Sequence, residues 1–267
     1  MRRALAGCLA LSVAAPPLGV FLVLRRMSLM SDVLQHGVLP GIALGAAVGG
    51  LSVWAMGTGG MLAGLGVALL AGWFARRTGL GEDSQLAGLY LVALAAGVAL
   101  ISAQRGVGLT HLLFGSVLAV DNMALLAMAG AATATLPLLA VIWRPLVLQS
   151  LDPGLPGALS GGRGIWHSFF LALVVLCVVA GFEALGTLMS VGLMMLPAIA
   201  ARHWSGSLAG QVSIAVALAV AASVLGLLLS FNVAIPAGPA IVLTAGGLWL
   251  VSLVLGPHER LLRPGRA

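Results

Sequence analysis

Apolar positions along this chain do not alternate with polar ones. They gather into nine long runs, at about 4–24, 37–56, 58–75, 86–102, 123–143, 168–182, 186–201, 208–229 and 239–256. A bilayer core takes about 20 consecutive apolar residues as a helix. Strands of a membrane barrel are about ten residues long and alternate apolar with polar. The runs therefore predict transmembrane α-helices. The first run is ambiguous, because Arg2 and Arg3 ahead of it give it the outline of a secretory leader. It continues past Pro16 and Pro17 to Leu24, beyond a cleavable apolar core, so a retained first helix is expected. The predicted fold is all-α: one polytopic helical bundle over residues 1–267, with about eight to nine spans. Gly41, Gly45 and Gly49 stand four apart in the second run, and Gly60 with Gly64 in the third. That spacing lets helix backbones approach closely in lipid, and with 37 glycines in the chain it reads as packing.

Composition agrees with the runs and closes other possibilities. Hydrophobic residues make up 61% of the 267 and charged residues 7%, against about 25% charged in a soluble domain. A soluble enzyme, a disordered chain and a disulfide-stapled secreted domain are excluded. Cys8 and Cys177 both fall inside apolar runs and read as small buried hydrophobes. The net charge is +6, and all 13 basic residues are Arg. They stand singly or in pairs between apolar runs, as loop charges of a membrane protein do. If the N-terminus is outside and all nine runs cross, Arg25, Arg26, Arg76, Arg77, Arg144, Arg163, Arg202, Arg260, Arg263 and Arg266 lie in the cytoplasm. Only Arg2, Arg3 and Arg105 lie outside. The positive-inside rule then gives N-out, C-in. Crossing by the weaker run Val107–Val120 would break this count.

Ionisable groups are costly within a membrane, so each one is a functional candidate. Asp32 and His36 come first. Their i, i+4 spacing puts a carboxylate and an imidazole on one helix face, and an oxygen with a nitrogen suits a borderline divalent ion such as Zn²⁺ or Mn²⁺. The same spacing also fits an N-cap Asp beside a His bonded to a carbonyl. Glu82 and Asp83 precede the fourth run, where acids complement a helix dipole. Asp121 is placed to cap the fifth run. Glu183 is expected in an external turn between two close runs. His111, His167, His203 and His258 lie near run ends and are not expected to bind metal. The chain has no phosphate-binding Gly-x-x-x-x-Gly-Lys-Ser/Thr loop, no His-Glu-x-x-His and no Gly-x-Ser-x-Gly, so no nucleophile, base and oxyanion hole come together.

Four stretches occur in a fixed order. The first runs from Leu22 through Arg25-Arg26-Met27-Ser28 to Ser31-Asp32, followed by His36-Gly37-Val38-Leu39-Pro40-Gly41. The second is Leu112-Leu113-Phe114-Gly115-Ser116 through Val120. The third is Ala184-Leu185-Gly186-Thr187-Leu188-Met189-Ser190 through Leu196-Pro197 to Arg202. The fourth is Ser230-Phe231-Asn232-Val233-Ala234-Ile235-Pro236-Ala237-Gly238-Pro239. This set resembles the membrane permeases of zinc- and manganese-type ABC importers, from about Arg2 to Pro257. The resemblance implies a multi-pass protein of the bacterial inner membrane. It implies a homodimer with the ion's path between the copies, a cytoplasmic ABC ATPase subunit and an extracytoplasmic metal-binding protein. The metal is then cargo, possession of a resident cofactor is not implied, and the chain itself is not an enzyme. Within the resemblance Asp32 and His36 contact the ion. The segment Arg202, His203, Trp204, Ser205, Gly206, Ser207 and Leu208 matches the helix that docks on the ATPase. The family more often has Gly-Asp-Ala-x-Ser-His-Ala around the pair; here Ser31, Val33, Gln35 and Gly37 take the other positions. The expected function is import of a divalent transition metal: Zn²⁺, Mn²⁺ or Fe²⁺. A proton-coupled secondary transporter is the alternative, and it would carry more acids within its spans.

Overall fold

The computed structural model describes residues 2–28, 30–50, 52–78, 82–103, 122–151, 163–233 and 235–257. Among them run ten helices and no strand: α1 Arg2–Leu24, α2 Met30–Gly37, α3 Leu39–Gly49, α4 Val53–Thr78, α5 Glu82–Ala103, α6 Asn122–Leu151, α7 Arg163–Leu185, α8 Thr187–Arg202, α9 Leu208–Val233 and α10 Ala237–Leu255. Seven of these are long and apolar enough to cross a bilayer. The 16 residues of α8 add about 24 Å at 1.5 Å per residue.

α2 and α3 together make one further crossing. Val38 between them keeps helical angles, φ −81° and ψ −18°. Its N–H bonds the Leu34 carbonyl at 3.1 Å, and the Ile42 N–H bonds the Val38 carbonyl at 3.0 Å. The interruption comes from Pro40, which has no N–H to give the His36 carbonyl. From Met30 to Gly49 the rod is about 30 Å long. The second span is thus displaced from the predicted 37–56. It starts seven residues earlier, because Asp32, Gln35 and His36 are inside the helix. It stops at Gly49, because Gly50 takes a left-handed φ of 66°. α4 starts at Val53 rather than 58, with the Ser52 carbonyl accepting from the Met56 N–H at 3.0 Å. The break carries only Gly49-Gly50 and a single serine, Ser52, too little polarity to interrupt the apolar run.

α1 forms the centre. Its crossing stretch is the most buried of the spanning helices, while few residues of α4 and α5 are fully buried. Phe21 sits edge-on to Trp143 at 5.1 Å and to Phe170 at 6.2 Å, tying α1 to α6 and α7. At Gly19 a Cβ would overlap the Met194 carbonyl, so α1 and α8 touch through their backbones. The expected glycine packing is present between α3 and α4. A Cβ on Gly41 would overlap the Gly59 carbonyl, and one on Gly45 the Ala55 carbonyl. Gly60 and Gly64 instead face Ile42 and Val38.

The turns fix the direction of each crossing. After α1 the Arg26 N–H bonds the Val23 carbonyl and the Met27 N–H the Leu22 carbonyl, a Schellman closure with Arg26 at φ 59°. Gly186, at φ 84°, separates α7 from α8. Glu183 therefore lies in the last turn of α7 and not in a turn between helices, since the chain reverses three residues later. The ends of α1, α8 and the start of α9 pack together through Val20, Ala198, Ala201 and Ala215, with Leu24 and Leu208 beside them. The end of α10 joins them, since a Cβ on Gly256 would stand 2.6 Å from the His203 Cβ. Arg25, Arg26 and Arg202 mark this end, which makes it the cytoplasmic one. The run Val107–Val120, His111, Asp121 and His258 lie outside the described residues.

Candidate metal site

α2 carries the pair. Met30, Ser31, Leu34 and Gly37 face the bundle and are buried, Asp32 and His36 turn outward, and Gln35, also buried, stands at the border between the two sides. Their side chains stand one turn apart, His36 Nε2 to Asp32 Oδ1 at 3.8 Å, with Asp32 55% exposed and His36 20%. The His36 ring lies against the ring of Tyr90 on α5, centroids 5.5 Å apart and planes tilted by 54°. Two buried polar atoms here have no hydrogen-bond partner: His36 Nδ1 and Gln35 Oε1. Among the described residues no third His, Cys, Asp or Glu joins the pair. One chain therefore offers one carboxylate and one imidazole, fewer than the four donors a zinc-like ion takes.

The depth of the pair follows from its neighbours. Val38 and Val175 both close on Gly64, and Gly64 and Val175 lie near the middle of α4 and α7 respectively. His36 is then about 3 Å, and Asp32 about 9 Å, from mid-membrane on the cytoplasmic side. The pair is within the bilayer even though Arg26 is only six residues before Asp32. The arginine that opens the turn is itself recessed. Arg25 donates to Gln149 Oε1 at 3.1 Å, to Ser150 Oγ at 3.4 Å and to His167 Nδ1 at 3.2 Å, with its guanidinium 5.1 Å above the Phe170 ring. His167 thus serves as an acceptor at the inner ends of α6 and α7.

The other candidates are dispersed. Glu82 and Asp83 stand in the first turn of α5, as expected for acids at a helix start. Cys8 and Cys177 are buried, as expected for small hydrophobes. The segment Arg202 to Leu208 is not a helix of its own. Arg202 ends α8, residues 203–207 form a tight turn, and Leu208 begins α9. Serines close that turn: Ser207 Oγ accepts from the Gly210 N–H at 3.2 Å, and Gln211 Nε2 donates to the Ser205 carbonyl at 2.9 Å. Trp204 is exposed at its tip.

Two residues of the site carry little signal in the sequence. Tyr90 is the chain's one tyrosine, set in an apolar run 54 residues from His36, and only the fold brings them together. Gln35 stands out in the sequence as a departure from a family pattern and not as a donor. Its signal is that it shares the helix face of Asp32, three residues on.

Comparison with known proteins bears directly on this geometry. The sequence profile of the ABC 3 transport family matches residues 1–256. The manganese import system permease protein ScaB of Streptococcus gordonii is 31% identical over 98% of this chain and 94% of its own. The manganese transport system membrane protein MntC of Halalkalibacterium halodurans is 28% identical over 98% of this chain and 89% of its own. Among solved structures, PsaBC from Streptococcus pneumoniae in complex with Fab superposes with a TM-score of 0.86 at 30% identity, covering 98% of this chain and 93% of that one.

Proposed function

We propose, from the premise that the chain belongs to the ABC 3 transport family, that it moves a divalent transition-metal ion across the membrane as the permease of an ATP-driven importer. The chain is a multi-pass inner-membrane permease subunit and not an enzyme; ATP hydrolysis resides in a separate subunit. Relatives named for manganese favour Mn²⁺ as the cargo, while Zn²⁺ and Fe²⁺ accept the same donor types.

One observation carries the reading. Asp32 is a carboxylate, half exposed within membrane depth, one helical turn from His36. Lipid against such a group is strongly unfavourable, and intramembrane acids face a bundle interior or a water-filled cavity. A second copy of the chain facing this side of α2 supplies that setting. Two copies bring two carboxylates and two imidazoles, four donors for an ion that sheds its water. The path then runs between the copies. A cytoplasmic ABC ATPase docks on the turn from Arg202 to Leu208, whose exposed tip lies on the arginine-marked side. An extracytoplasmic metal-binding protein delivers the ion to the opposite ends.

Asp32→Asn tests this. It keeps the shape and one oxygen but removes the charge that favours a divalent cation. Uptake of radioactive Mn²⁺ or Zn²⁺ by cells carrying the variant should fall at least about tenfold, with protein abundance unchanged. His36→Ala should do the same. Wild-type uptake by Asp32→Asn would return the pair to a helix-capping role.

A further inference from the structure

Gln35 is 3% exposed, and its Oε1 is buried with no hydrogen-bond partner. Buried side-chain oxygens in folded proteins are nearly always partnered, so an orphan beside two candidate metal ligands calls for an explanation. Helical geometry supplies one. At 3.6 residues per turn His36 lies about 40° to one side of Asp32, and Gln35 about 60° to the other. All three fall within about 100° of arc across one turn and a little more of α2. His36 Nδ1 is likewise buried and unpartnered. The face therefore presents a half-exposed carboxylate flanked by an orphan amide oxygen on one side and an imidazole with an orphan nitrogen on the other.

Resting on the permease reading above, we infer that Gln35 is a third donor per chain and sets the choice of ion. Its amide oxygen is a hard, neutral ligand. Two copies then bring six donors: two carboxylate oxygens, two amide oxygens and two imidazole nitrogens. A six-donor set with four oxygens fits the octahedral preference of Mn²⁺. Zn²⁺ is content with four donors in a tetrahedron, which the Asp32 and His36 pairs already provide. Gln35 thus favours Mn²⁺ without taking anything from Zn²⁺. Tyr90 packs on the His36 ring from α5 and limits its movement.

The test is metal binding to the complete transporter, permease copies with the ATPase subunit, titrated with Mn²⁺ alone and with Zn²⁺ alone. Gln35→Leu fills the same space and removes the oxygen. Mn²⁺ affinity should fall at least about tenfold while Zn²⁺ affinity stays near wild type. The Mn-to-Zn ratio taken up by cells offered both ions should fall in step. Equal losses for the two ions, or no loss for either, overturns the proposal. Where Gln35→Leu does not reach the membrane, Gln35→Ser gives the same reading, because its hydroxyl is too short to reach the ion. A lower Mn-to-Zn ratio supports the third donor and an unchanged ratio rejects it. Asp32→Asn, measured alongside, separates the two levels of the argument. If it loses both ions while the Gln35 variants keep the wild-type ratio, only the role of Gln35 fails. If it keeps both ions, the permease site itself fails, and the third donor fails with it.

Discussion

At the scale of single residues, Arg26 shows how local strain and a global rule meet. It closes α1 from the left-handed region, at φ 59°, where a residue with a Cβ pays about 1–2 kcal/mol. Glycine is the usual occupant of that position. Arg26→Gly should therefore raise stability by up to about 1 kcal/mol, read as a higher Tm in detergent. Arg26→Val should lower it, since a β-branched side chain tolerates that region least. Arg25, which remains and is bonded to Gln149 and His167, keeps a positive charge at the inner end of α1. The same scale shows how far a site can be read from sequence. Asp32 and His36 are legible because charge is rare in this chain and their spacing is local. Tyr90 is not, because its relation to His36 depends on how α5 packs against α2. Gln35 is visible, yet its meaning depends on burial, and no sequence pattern reports an unpartnered oxygen.

At the scale of elements, the contact between α3 and α4 is made of backbone. The Gly59 carbonyl occupies the space where a Gly41 side chain would stand. Gly41→Leu has to push the helices apart, and overpacking of that kind costs about 1–3 kcal/mol. Gly66, on the same α4, has nothing within 4 Å of its missing Cβ. Gly66→Ala should be neutral or stabilising by about 0.5–1 kcal/mol. Thermal unfolding of the two variants in detergent decides this, and equal effects would mean the glycine contact is not tight. The existence of each helix is legible, because apolar runs of this length have few alternatives in lipid. The borders are less so. Where every residue is apolar, the end of a helix is set by a glycine's φ or a proline's missing N–H, as at Gly50 and Pro40, and hydropathy records neither. The polar start of α2 misleads in the opposite direction: Asp32 and His36 look like a loop and are the first turns of a span.

At the scale of the whole molecule, the arginine count and the packing agree on direction. The ends of α1, α8 and α10 come together where Arg25, Arg26 and Arg202 stand, so the turn at 203–207 faces the cytoplasm. A single cysteine at Ser207 should react with a membrane-impermeant thiol reagent only after permeabilisation, and one at Ser52, between α3 and α4, in intact cells. Reaction at Ser207 in intact cells would invert the topology. The joint at Val38–Pro40 has a consequence for movement. Below it, α2 is wedged among α4, α5, α7 and α8 and carries Asp32 and His36. Above it, α3 is bound to α4 through glycine backbones, and its tie to α2 lacks the hydrogen bond that Pro40 cannot make. A rod with one weakened rung bends there first. Flexure at this joint tilts α3, with α4 and α5 packed on it, relative to Asp32 and His36 on α2. A joint so placed uncouples the outer half of the span from the carboxylate and imidazole held below it.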